Sequence, residues 1–138
     1  MSGQIIRVVP FTNYDWEHVA AGQEVTTFVA KHIDVSQFRH ATLAIRVHSH
    51  NIPGDGTVHV QVVPDGYTLE DPTAEFFDTN ALQTVDIVAG DTTPFYRTLE
   101  LTAGRIGSMV SVVIGAIMDS SQSQVMDAKI SVDLVLKD

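Results

Sequence analysis

Apolar and polar residues alternate along most of this chain, and the alternation is cleanest near its end. In "MDAKISVDLVLKD", Met126, Ala128, Ile130, Val132, Leu134 and Leu136 point to one side, and Asp127, Lys129, Ser131, Asp133 and Lys137 to the other. A side-chain period of two belongs to an antiparallel β-strand with one face buried and the other in water. Two earlier runs behave alike. Leu43, Ile45 and Val47 alternate with Ala44, Arg46, His48 and His50, and Val58, Val60 and Val62 alternate with Thr57, His59, Gln61 and Val63. The segment "NIPGDG" joins them, and its proline and glycines supply turn geometry. The pattern therefore predicts a β-hairpin with its six aliphatic residues inward.

Further strands are expected at Gln4–Pro10, Val25–Val35, Leu82–Val88, Phe95–Leu101 and Ile106–Met118. No amphipathic helix longer than a turn or two is found. "YDWEHVAA" from Tyr14 and "TAEFF" from Thr73 are the candidates for short helical turns. Eight strands separated by turns in 138 residues predict an all-β fold, an antiparallel eight-stranded β-sandwich whose strand lengths fit a jelly roll. An immunoglobulin-like sandwich is the alternative, because periodicity does not reveal strand order. A chain of this length buries its apolar surface around one core, so residues 1–138 are expected to form a single domain.

One strand departs from the half-buried pattern. In "IGSMVSVVIGAIM", Ile106, Val110, Val112, Ile114 and Met118 form one side, while Met109, Val113 and Ile117 form the other. Such a strand needs cover on both faces, from a loop of its own chain or from another subunit. Met109, Val113 and Ile117 are therefore the candidates for an oligomer interface, and a symmetric homo-oligomer is expected.

Charge changes the picture by excluding partners. The formal net charge is −9, and no Lys or Arg falls between Arg46 and Arg97, where Asp55, Asp65, Glu70, Asp71, Glu75, Asp78, Asp86 and Asp91 all lie. A surface of that sign repels a phosphate backbone and an anionic bilayer, so neither nucleic acid nor membrane insertion is expected. Cysteine is absent, which removes disulfides, thiolate metal sites and a cysteine nucleophile. The opening "MSGQIIRVVPF" lacks the basic start and long apolar run of a secretory signal. The expectation is a soluble protein made in the cytoplasm and then incorporated into a virion or other particle.

Several groups could carry chemistry. On the predicted hairpin, His48, His50 and His59 share the outer face, and a symmetric register sets His48 opposite His59, close enough for three imidazoles to meet one zinc ion. Two histidines two apart on one strand with a third from a neighbour resembles the ligand spacing of α-type carbonic anhydrases, but the likeness ends there. The cupin pattern fails because no glutamate follows His50 at the required distance. A solvent-facing sheet lacks the dry cavity of a catalytic metal, so these residues are expected to form an ordinary polar face, with a surface histidine–metal enzyme as the third-ranked function. Calcium is weighed at Asp65, Glu70, Asp71, Glu75 and Asp78, which offer hard oxygen ligands without an EF-hand pattern. The expected cofactor set is accordingly empty, with zinc and calcium as the alternatives. Ser108 in "GRIGSMVS" lacks a nucleophile elbow. Tyr14, Trp16 and Tyr67 could stack on sugar rings, against the simpler reading that Trp16 caps an open end of the sandwich.

The stretch "IDVSQFRHATLAIRVHS", followed by a hairpin and "VQVVPDGYTLEDPTAEF", resembles small β-sandwich accessory proteins of tailed phages and related particles. There an Asp-Val-Ser-aromatic entry leads into a core strand, and a later strand ends in an Asp-Gly turn. The resemblance covers residues 33 to about 77 and departs at the turn, where Tyr67 stands and the following tryptophan is missing. It implies a non-enzymatic, structural role and transfers no catalytic residue. The sequence thus reads as a self-associating structural protein of a particle or surface assembly, whose partners are further copies of itself and other structural proteins of that assembly. A carbohydrate-binding module is the alternative.

Overall fold

The alternation is realised as strands throughout a computed structural model that describes residues 3–17, 19–66, 76–77, 83–101, 109–119 and 125–137, apart from the side chains at 27–28, 31–32, 64–66 and 76–77. In chain order these strands are β1 (Gln4–Glu17), β2 (Glu24–Asp34), β3 (His40–Asn51), β4 (Gly56–Gly66), β5 (Phe76–Phe77), β6 (Gln83–Val88), β7 (Phe95–Leu101), β8 (Met109–Met118) and β9 (Val125–Lys137). No helix occurs among the described residues, and none is long and apolar enough to cross a membrane.

The strands form two antiparallel sheets, one ordered β1-β9-β3-β7 and the other β2-β8-β4 with β5 and β6 both beyond β4. Packed face to face they make a β-sandwich. β9 lies between β1 and β3, and its inward residues Met126, Ala128, Ile130, Val132, Leu134 and Leu136 are all 0% exposed, as the terminal alternation requires. Leu43, Ile45 and Val47 meet Val58, Val60 and Val62 across the core, again fully buried.

Those six residues lie in the core as the alternation predicts, but the predicted hairpin between them does not form. β3 pairs with β9 and β7, β4 pairs with β8, β6 and β5, and the connection between them crosses from one sheet to the other. An inward apolar face reads the same whether its partner lies beside it in one sheet or about 10 Å away across the core. The crossing is anchored by buried Ile52, by Gly56 N–H donating to the Pro53 carbonyl at 2.9 Å, and by Asp119 N–H donating to the Asp55 carbonyl at 3.0 Å.

The expected helical turn at Tyr14 is also replaced by strand. Period two continues past Pro10, which sits where the β1–β9 register shifts between Val9 and Thr12, a bulge being one of the places a sheet admits proline. Tyr14 and Trp16 then fall opposite Ala128 and Met126 on the inner face. In "TAEFF", Phe76 and Phe77 form β5, and the preceding residues lie outside those described.

Candidate functional site

The histidine trio is not brought together. A bulge in β3 shifts its register against β9 between Val47, opposite Ile130, and Ser49, opposite Lys129. His48 occupies the bulge and is exposed, its ring against that of Phe11. Past the bulge the phase inverts, so His50 lies opposite buried Ala128 on the inward side. A single extra residue sends every later side chain to the opposite face. His59 lies on the other sheet, on the outer face of β4 between Asp86 of β6 and Gly115 of β8, and is 6% exposed. The expectation that His48, His50 and His59 share one outer face therefore fails twice, once through the bulge and once because β3 and β4 belong to different sheets. Among the described residues no group of three His, Cys, Asp or Glu side chains is placed to hold a metal ion. Of the calcium candidates, the Asp65 side chain and all of Glu70, Asp71, Glu75 and Asp78 lie outside the described set, as do Tyr67 and Ser108.

Two of the histidines have structural partners instead. His59 Nε2 faces the carboxylate of Glu24 on β2, over the space left by the missing side chain of Gly115. His50 Nε2 lies 2.7 Å from the backbone oxygen of Asp91, at the turn between β6 and β7. Asp91 fastens that turn: its carboxylate receives both Arg97 guanidinium nitrogens, at 2.5 and 3.3 Å, and the Val88 N–H at 2.8 Å, while a further Arg97 bond reaches the Asp86 carbonyl at 2.7 Å. Hydrogen bonding from Arg97 first, then from the Val88 backbone, holds the Asp91 carboxyl below its usual range.

A folded-state pKa that is depressed contributes stability that is present above the unfolded value and is lost as pH falls through the folded value. In a carboxyl-carbon NMR titration, Asp91 is therefore expected to protonate below the ordinary 3.8 of an aspartate. Replacing Arg97 with Gln should return the midpoint toward that value. An unmoved midpoint would mean that the ion pair does not form in solution.

A site that sequence reasoning missed lies beside these residues. Arg46, Val47 and His48 of β3 and Pro94, Phe95 and Tyr96 at the start of β7 line an open groove of about 360 Å³. β3–β7 pairing sets Arg46 directly opposite Tyr96 on the outer face, and the guanidinium carbon lies 5.4 Å from the Tyr96 ring centroid. The floor is apolar and the rim cationic. Arg46 reaches Asp133 at 3.5 Å, whereas Arg7 makes the closer, two-pronged contact with that carboxylate. Donors remain on Arg46 for an outside acceptor, since a guanidinium carries five N–H groups. Outward phase placed Arg46 and Tyr96 individually, but nothing in the sequence showed that β3 and β7 are neighbours.

The aromatic platform is closed to sugars at its best residue. Tyr14 and Trp16 are stacked, with ring centroids 6.1 Å apart and planes 19° from parallel, but Trp16 is 7% exposed and belongs to the core. Burial pushes the Tyr14 phenol pKa up, opposed by its hydrogen bond with Thr12.

β8 is covered on both faces within the single chain over most of its length: Val113 is 4% exposed, and Met109 and Ile117 are half-buried. The premise that these three side chains stand in water does not hold for Val113.

No family model and no curated protein matches the sequence. Solved structures do match. The T13 viral particle of infectious bursal disease virus superposes with a TM-score of 0.57 at 13% identity, covering 99% of this chain and 32% of that one. The VP2 subviral particle of the same virus gives 0.56 at 13% identity over 98% and 32%. Its Gt strain gives 0.52 at 14% identity over 97% and 31%. The chain spans about a third of the length of each of these three solved chains. The likeness is one of fold: these neighbours are β-sandwich-like proteins of viral particles, in keeping with the resemblance of residues 33–77 to structural proteins of phages and related particles.

Proposed function

We propose that this chain is a non-enzymatic, self-associating structural protein of a particle or surface assembly, a virion or phage-like accessory component, and that its sandwich is a jelly roll. Strand order carries the reading. From β1 to β4 each successive strand lies in the sheet opposite its predecessor, and the same holds from β6 to β9. This supports a jelly roll over the immunoglobulin-like alternative, in which successive strands such as A and B or F and G share a sheet. The superposition on particle proteins over nearly the whole chain supports the same role. Incorporation into a particle is the corresponding location.

Of the original interface candidates, Met109 and Ile117 retain surface for a partner to cover, and Val113 retains little. Purified protein is expected to run well above its 15.0 kDa chain mass in light scattering and to form closed, symmetric objects in negative-stain electron microscopy. A monomer at tens of micromolar in physiological salt would overturn the proposal.

A further inference from the structure

We infer that self-association uses the lateral side of the sandwich where β7 and β6 form the sheet edges, with Arg46 and Tyr96 of one copy set against Asp86 and Val88 of a second. This rests on the reading of the protein as self-associating and goes beyond it by naming the surface and its mate.

Three observations meet on that side. First, it exposes large apolar groups on both sheets: Tyr96 on β7 is 55% exposed and Val88 on β6 is 41% exposed. Second, the two layers present opposite charges near Tyr96 and Val88, with exposed Glu100 farther along β7. Arg46 lines the groove beside β7, whereas exposed Asp86 on β6 has no ion-pair partner among the described residues. In a protein of net charge −9, random contact between copies is repulsive, and a contact that meets a basic rim with an acidic edge relieves the repulsion. Third, the geometry suits a two-fold. β7 and β6 are edges of different sheets on the same side, so a half-turn about an axis normal to that side exchanges the layers and lays β7 of each copy along β6 of the other. The contact is then isologous, and both Arg46–Asp86 pairs form at once.

Side chains make this contact, without a continuous backbone ladder. Arg97 already caps the Asp86 carbonyl, and an inward-directed charge on an edge strand opposes strand addition. The opposite side also exposes apolar surface, with Ile5 at 69%, but there the Arg7 guanidinium is closed on Asp133, and between the two sides the Phe11 ring is covered by His48 and the Lys129 ammonium. Arg46 meets Asp133 by one long contact at 3.5 Å where Arg7 makes two, which leaves Arg46 donors for an outside acceptor.

A charge swap tests the pairing. Asp86→Arg and Arg46→Glu are each expected to weaken wild-type self-association about tenfold in sedimentation equilibrium, and the double variant to recover most of the loss. Wild-type association should also weaken as salt rises. Because Arg46→Glu brings a carboxylate toward Asp133, Val88→Asp serves as an independent disruption distant from that pair, with circular dichroism melts confirming that every variant is folded. A wild type that associates while Asp86→Arg and Val88→Asp leave it unchanged overturns this interface and leaves the self-association reading standing. So does a double variant no stronger than the weaker single one. A monomeric wild type overturns both.

Discussion

Replacing Leu134 with Ala is expected to lower the unfolding free energy by about 2–5 kcal/mol, the range for emptying a buried leucine site. Leu134 is 0% exposed, and its register partners are Ile6 on β1 and Leu43 on β3, so the deleted atoms leave a void between three strands of one sheet and the facing layer. Collapse into that void is resisted because β9 is held by ladders on both sides. Domains of this kind have about 5–15 kcal/mol in all, so the variant should sit near the edge of folding. Lys129→Ala on the outer face of the same strand is the matched control and should cost no more than about 1 kcal/mol, the loss of its contact with the Phe11 ring included. Urea denaturation followed by Trp16 fluorescence reads both. Equal midpoints for the two variants would mean that β9 is not the centre of the packed sheet.

The second large effect is expected at Gly115, from adding a single methyl group. A Cβ there would lie 2.6 Å from His59 Nε2, 3.0 Å from the Val25 carbonyl oxygen and 3.1 Å from Thr26 Cγ2. The imidazole is buried and backed by Glu24, and the carbonyl belongs to the paired β2 ladder, so neither retreats freely. Gly115→Ala should cost about 1–3 kcal/mol by overpacking, against the gain of up to about 1 kcal/mol that removing a glycine from a strand otherwise brings. Gly56→Ala is the informative contrast. Its Cβ would meet Met126 Cε at 2.9 Å, Met118 Sδ at 3.0 Å and Ile52 Cγ2 at 3.2 Å, so the two nearest contacts belong to flexible thioether chains that can shift. Thermal melts should rank Gly56→Ala well above Gly115→Ala. Adding His59→Ala to Gly115→Ala should recover part of the loss, and strict additivity would show that the imidazole is not what the methyl group meets.

This pair of glycines marks the boundary of what alternation can convey. Gly115 and His59 are unremarkable in the sequence, and they become dependent on each other through the β4–β8 register. His59 was placed on an outer face, and it is on one, yet it is 6% exposed because Glu24 and its strand neighbours close around it. Facing outward from a sheet and being in water are different properties, and periodicity reports the first.

The all-β class and the sorting of the core are legible in the alternation alone. Alternation depends on the two-residue period of an extended chain, so it placed Leu43, Ile45, Val47, Val58, Val60, Val62 and the six inward residues of β9 correctly before any pairing was known. Tertiary structure decided which strands are neighbours. The segment after β3 could turn back within a sheet or cross the core, with the same residues buried either way, and the energetic choice lay in the joint packing of both layers. It also decided the phase after His48, because a bulge depends on how β3 must follow β9 and leaves no mark in the alternation. From those two decisions came the dispersal of the three histidines and the groove where Arg46 meets Tyr96. A site assembled from strands far apart in the chain exists only once their order and register are set.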